Sequence, residues 1–267
     1  MLAALPAGAL ARDPDAGPNA HHQAARLAAA ELAMRDATAR LAALAQEQPA
    51  GVAEAMRHEL AVAATTFAFR QAARQEQRLI YDLAGYASVQ SAVTPLLPGP
   101  IQSPIGDLIS GLHSLYILGG IDQYYLVNPH YTLPYSSAAP LASLRAYYLE
   151  AQNRYGINAS YLASINYIES KFGRVNGPSS AGAMGPMQFL PSTWQEYGQG
   201  GNINDPHAAI LAAARLLVHN GAPYNMRNAI WHYNNSFDYV DAVEFFARAY
   251  RTDPGWLERM YYWDTFG

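Results

Sequence analysis

Asn158-Ala159-Ser160-Tyr161-Leu162-Ala163-Ser164-Ile165-Asn166-Tyr167-Ile168-Glu169-Ser170-Lys171-Phe172-Gly173 is the stretch on which the fold turns. Asn158 can accept a hydrogen bond from the first free backbone N–H groups of a helix, and Gly173 can end one. Between them Leu162, Ile165, Glu169 and Phe172 fall at i, i+3, i+7 and i+10, a single stripe of a 3.6-residue period. The flanking sequence is punctuated the same way. Pro140 opens a helix that runs through Tyr155 and closes at Gly156. Asp205-Pro206 starts another, with proline at its first helical position, and Asn220-Gly221 ends it. Ser236 and Asp253-Pro254 mark two further starts. No stretch sustains a period-two alternation, so the expected fold is all-α.

Upstream, residues 24–48 are dense in Ala, Leu, Arg and Glu, with Leu27, Met34 and Leu41 recurring every seventh position beside Ala30, Ala37 and Leu44. Pro49-Ala50-Gly51 breaks that pattern. A second helix is expected over residues 52–87, with Met56, Leu60, Ala63, Phe67, Leu79 and Leu83 near one face, so the two helices predict an antiparallel hairpin. Pro95, Pro98, Pro100 and Pro104 predict a turn-rich connection, followed by a short apolar helix up to Gly119-Gly120. Proline, serine, threonine and tyrosine dominate residues 128–140, which read as a linker. The expected organisation is a leader or disordered tail (1–20), a helical region (21–127), the linker (128–140) and a second region (141–267). Nothing in residues 21–127 concentrates catalytic side chains. Packing and spacing explain that region best, and docking of a protein partner is the alternative.

Composition narrows the function. The chain has 267 residues, 51% hydrophobic and 14% charged, which suits one large domain or two small ones and excludes a disordered chain. A net charge of -4 gives no basic excess, so no nucleic-acid partner is expected. There is no cysteine, which removes disulfides, thiolate catalysis and Cys-ligated metals, and Lys171 is the only lysine. No uninterrupted apolar run is long enough for a transmembrane helix. Residues 1–11 are small and apolar and end Ala9-Leu10-Ala11, a small-x-small pattern, ahead of a polar run over 12–18. They lack a positively charged start. They read either as the end of an export signal or as an alanine-rich terminus. The eight histidines form no HExxH pair, so neither a catalytic metal nor a cofactor is expected. Neither a Gly-x-Ser-x-Gly elbow nor a phosphate loop occurs.

Glu169 occupies a position of its stripe that ought to be apolar. A carboxyl buried without a cationic partner has its pKa raised, which is what a general acid near neutrality needs. A glutamate near a helix end can equally bend out to water, and the stripe alone leaves both open. Directly after it comes Gly177-Pro178-Ser179-Ser180-Ala181-Gly182-Ala183-Met184-Gly185-Pro186-Met187-Gln188, a small-residue loop that lets backbone approach a ligand and ends in an apolar side chain beside an amide. Further on, Trp231-His232-Tyr233-Asn234-Asn235-Ser236 sets an aromatic among polar neighbours. An acid, a glycine-rich floor, an amide and a tyrosine are compatible with a sugar cleft.

Glu169-Ser170, residues 179–188 and His232-Tyr233-Asn234 together resemble the soluble lytic transglycosylase (SLT-domain) family, whose motifs run Glu-Ser, Gly-Ala-x-Gly-Leu-Met-Gln and Ala-Tyr-Asn in that order. Asn202-Ile203-Asn204-Asp205-Pro206 is similar to the family's Asn-x-x-Asp-Pro helix start, and Tyr239-Val240 to its closing Tyr-Val. The resemblance covers residues 141–250. Pro186 stands where leucine is usual, and His232 where alanine is usual. The resemblance implies a lysozyme-like fold and cleavage of peptidoglycan glycan strands between N-acetylmuramic acid and N-acetylglucosamine, in the cell envelope or outside the cell. It implies Glu169 as acid and then base, Ser170 beside it, Ser179 near the N-acetyl group, Met187 and Gln188 along the cleft, and Tyr233 with Asn234 at the reacting sugar. An ordinary glycosidase needs two carboxylates. Glu196, Asp205, Asp238, Asp241, Glu244, Asp253 and Glu258 are better explained by caps or exposed faces, and the family's route needs no second one. A hydrolytic muramidase on the same fold and a non-catalytic wall-binding protein are the alternatives.

Overall fold

The structure is a computed structural model that describes residues 20–85, 87–119, 136–175 and 177–263. Residues 1–11, read as leader-like, and 128–135 of the linker lie outside the described residues. The described chain is all-α: α1 (Ala20–Leu44), α2 (Val52–Ala84), α3 (Ala87–Val93), a 3₁₀ turn (Thr94–Leu96), α4 (Gly99–Gly119), α5 (Leu141–Tyr155), α6 (Ala159–Ser170), α7 (Pro191–Tyr197), α8 (Pro206–His219), α9 (Met226–Tyr233), α10 (Phe237–Thr252) and α11 (Gly255–Tyr262). Among the described residues no helix is long and apolar enough to cross a membrane.

The punctuation seen in the sequence works as expected where a side chain or a glycine does the capping. Asn158 accepts from the Ser160 N–H at 3.0 Å, and Asp205 accepts from the Ala208 N–H at 2.9 Å. Gly156 closes α5 in the left-handed region with φ 72°, a conformation in which a Cβ is strained. Helix α6 stops three residues sooner than Gly173 suggests. Lys171 and Phe172 themselves take φ of 53° and 64°, so the chain turns immediately after Ser170.

Two expectations are corrected. Helix α4 begins at Gly99, so the proline-rich stretch is partly helical. The Pro98 carbonyl accepts from the N–H groups of Ile101 and Gln102. Pro100 lies in the first turn, where an N–H has no intrahelical partner, and only Pro104 removes a bond. Burial of Ile101, Ile105, Leu108, Ile109, Leu112 and Leu115 along this helix offsets that loss. Helix α2 is also not buried along its whole apolar stripe. Phe69, Leu79, Ile80 and Leu83 are buried, whereas Met56, Leu60 and Phe67 are exposed. Beyond its hairpin partner α1, the helices that pack on α2 meet its second half: the Tyr262 ring of α11 meets Phe69 edge-on, and the α4 groups His113 and Tyr116 bond the carbonyls of Ala84 and Tyr81.

Helices α1 and α2 pair as the expected hairpin, and α4 runs along α10. A Cβ on Gly111 of α4 would stand 3.1 Å from the Phe246 ring of α10, so the two backbones approach closely. Asp107 of α4 receives both Nε and Nη2 of Arg248 of α10, at 2.9 and 2.6 Å. One hydrophobic core runs from Leu27 and Leu108 through Ile165, Val243 and Trp256, so both halves of the chain share an interior. A buried ionic group sits in that interior. Arg259 of α11 pairs with Glu31 of α1 at 2.8 Å and with Asp253 at 3.3 Å. Burial pushes the fully enclosed Glu76 of α2 well above the usual carboxylate range, against the pull of Arg259.

Candidate active site

Glu169 lies in the last turn of α6, where the stripe of Leu162 and Ile165 faces the core, and it is only 4% exposed. The inward alternative is therefore the one realised. Tyr239, in the first turn of α10, donates its hydroxyl to Glu169 Oε1 at 2.5 Å. Burial raises the Glu169 pKa to about 7, and the tyrosine bond, which favours the carboxylate, pulls the other way. Desolvation is the larger effect. Near neutral pH a substantial fraction of Glu169 thus carries a proton. Among the described residues, Tyr239 is the only side chain found to shift it.

Tyr233, at the end of α9, stacks parallel on Tyr239 with ring centroids 6.3 Å apart. Its hydroxyl donates to the Met187 carbonyl at 2.7 Å, so the tyrosine pair links Glu169 to the small-residue loop. Burial, with the nearby Glu169 carboxylate adding to it, raises the Tyr233 pKa well above the usual phenol range. Asn234, half-buried, follows as the C-cap of α9.

The loop is closed by a two-residue bridge, with Met184 and Phe189 exchanging backbone bonds of 2.8 and 2.9 Å. Gly185 inside it has φ 75°, and a Cβ there would come within 2.0 Å of the Ile203 carbonyl oxygen. That position requires glycine on both counts. The Ser170 hydroxyl donates to the Pro186 carbonyl at 2.5 Å and accepts from the Gly173 N–H at 2.8 Å, while Asn166 donates to the same Pro186 carbonyl at 2.8 Å. Ser170 therefore binds the loop to the end of α6. Ser179 accepts from the N–H groups of Ala181 and Ala183 at 3.3 and 3.0 Å, shaping the first half of the loop.

Met187 is fully buried, and what it gives the tyrosines is its carbonyl. Gln188, 8% exposed, donates to the Gly185 carbonyl at 3.0 Å, and its Oε1 has no hydrogen-bond partner among the described residues. An amide oxygen so placed can accept a bond from a bound molecule. Lys171, in the turn behind Glu169, has its Nζ 3.9 Å from the centre of the Tyr167 ring, and burial lowers its pKa to about 7. Among the described residues no group of three or more His, Asp or Glu side chains could hold a metal ion.

The structure brings Glu169, the loop and Tyr233 together through Tyr239, whereas the sequence pattern said nothing of the Tyr239 hydroxyl or of Asn166. Tyr239 is 70 positions from Glu169, and its only signal was the Tyr-Val pair it begins. Asn166 stands one turn before Ser170 on α6, a polar residue in a buried helix, which is a signal that could have been read.

No curated protein and no solved structure matches the chain. Residues 146–245 match the family model of the transglycosylase SLT domain, a span that contains Glu169, the loop and both tyrosines. Over that span the chain is similar to the SLT domain, in agreement with the resemblance carried by the motifs.

Proposed function

We propose that the chain is a lytic transglycosylase that cleaves the β-1,4 bond between N-acetylmuramic acid and N-acetylglucosamine in peptidoglycan and leaves a 1,6-anhydro end. The observation that carries this reading is the buried Glu169, its pKa raised by burial to about 7 and its Oε1 bonded by one phenol. A retaining or inverting hydrolase needs a second carboxylate as nucleophile or base. The reaction proposed here uses Glu169 twice. With Oε1 receiving the Tyr239 hydroxyl, Oε2 carries the proton to the bridging oxygen as the glycosidic bond breaks. The substrate's own N-acetyl group supports the positive charge at C1. The resulting carboxylate then takes the proton of the C6 hydroxyl on the same sugar, and O6 closes on C1. That hydroxyl is tethered, so its effective concentration favours ring closure over water.

In this scheme Tyr233 and Asn234 flank the sugar, Gln188 Oε1 accepts a bond from it, and Ser170, Ser179 and Met187 set the loop on which it rests. Acting on peptidoglycan puts the chain in the cell envelope or outside the cell. The region 21–127 serves as a buttress, since α4 carries α10 and hence Tyr239. Product analysis on purified sacculi tests the reading. The parent should release muropeptides one water lighter than reducing-end products, and Glu169→Gln should lose 10²–10⁴-fold in rate, roughly the worth of a general acid. Reducing-end products would make the enzyme a muramidase. Binding without release would make it a wall-binding protein.

A further inference from the structure

Away from Glu169, Arg70 and Arg74 of α2, residues 136–138, Arg174, and Tyr261, Tyr262 and Trp263 line a cavity of 470 Å³. Neither Glu169 nor the tyrosines that accompany it line this cavity. Three guanidinium groups face it and, among the described residues, no carboxylate does. Elsewhere arginines meet acids: Arg248 meets Asp107, Arg227 meets Asp241 and Glu244, and Arg259 meets Glu31. Here Arg70 instead lies over the Tyr262 ring, 5.0 Å from its centre, and Arg174 lies over Tyr261 at 4.4 Å. A guanidinium laid on an aromatic face has its plane fixed and its N–H edge free for a carboxylate. One Arg174 donor is used on the Lys171 carbonyl at 3.3 Å, out of five. The wall formed by residues 136–138 is held in place as well. Ser136 donates its hydroxyl to the Gly173 carbonyl and its N–H to the Arg174 carbonyl, both at 2.9 Å.

The cavity is too large for a lone oxyanion and has the size of a site for a small organic molecule, with Ala138 and the rings supplying apolar wall. We propose that it binds a short peptide bearing carboxylates, the chemistry of peptidoglycan stems, at a second site beyond the one that cuts the glycan. The choice of peptide rests on the substrate proposed above. The cavity itself does not. Through Ser136, residues 136–138 are bonded to the turn that follows the Glu169 helix, which ties this cavity's wall to the end of α6.

Titration calorimetry on the full chain tests this with the glycan-free tripeptide L-Ala-γ-D-Glu-meso-diaminopimelate. Saturable binding that weakens with added salt is expected. Arg70→Gln and Arg174→Gln should each weaken it roughly tenfold or more, the worth of a charge-assisted bond, with unchanged thermal melting. Arg70→Lys should recover only part of the loss, because an ammonium lacks the two-pronged edge. The same tripeptide with its carboxylates amidated should not bind. Glu169→Gln should bind the acidic tripeptide like the parent, so a failure of the catalytic assignment leaves this result standing. The proposal is overturned if the tripeptide does not bind, if neither arginine substitution affects it, or if only inorganic phosphate binds with the arginine dependence.

Discussion

Replacing Tyr239 by phenylalanine removes a single oxygen and, with it, the 2.5 Å bond to Glu169 Oε1. Two opposed effects set the Glu169 pKa near 7: burial raises it, and the phenol bond holds it down. A hydrogen bond to a charged group contributes about 1.5–3 kcal/mol, and one pKa unit corresponds to about 1.4 kcal/mol. Without the phenol the acid should therefore titrate about 1–2 units higher. Because Glu169 must start protonated, activity falls on the alkaline side as it ionises. The alkaline limb of kcat/KM, which reports the free enzyme, should move from near 7 to about 8 or above in Tyr239→Phe. The assay is release of soluble fragments from purified sacculi between pH 5 and 9, with thermal melting as the check on folding. The plateau on the acid side should drop less than the limb moves, since the proton donor is still in place. A limb that stays put or moves down would refute the reasoning, for it would show that the phenol does not bond the carboxylate in solution.

Three further outcomes follow from the same interior. Glu169 titrates near 7 when folded against 4.5 as a free carboxyl, so the folded state holds its proton more tightly. Its favourable contribution is full below pH 4.5 and is lost as pH rises through 7, by about 3 kcal/mol at most, and denaturant unfolding of Glu169→Gln should lack that slope. Lys171 has the opposite sign: its folded pKa of about 7 lies below the ordinary 10.5, so its burial penalty is present in full below 7 and fades towards 10.5. Lys171→Met should accordingly gain stability at pH 6–7, by up to several kcal/mol, with the gain shrinking above pH 10 in urea titrations. Gly185→Ala should fail by a different route. Its Cβ would meet the Ile203 carbonyl at 2.0 Å in a backbone already at φ 75°, so a loss above about 3 kcal/mol, or no soluble protein, is expected in melting and expression comparisons.

The amino-acid sequence by itself determined the helical class, the hairpin, the capped starts of α6 and α8, and the order of the acid, the loop and the tyrosine. These are legible because local chemistry decides them: an Asn or Asp oxygen caps the turn beside it, and a 3.6-residue stripe says which side of a helix is dry. It left open whether Glu169 turned in or out, because a long side chain at a helix end can do either. It also overstated the burial of α2, since a stripe marks a face able to pack and not whether another helix reaches it. Met56, Leu60 and Phe67 stayed exposed for that reason, and Met187, expected along a cleft, lies fully inside. Only the tertiary structure decided the rest. Helix α4, more than a hundred residues from α10 in sequence, packs on it and sets the helix that carries Tyr239, and Tyr239 is what meets Glu169. Such a pairing depends on how packed helices converge in space, which no local spacing encodes, and the acid's pKa is a property of that convergence.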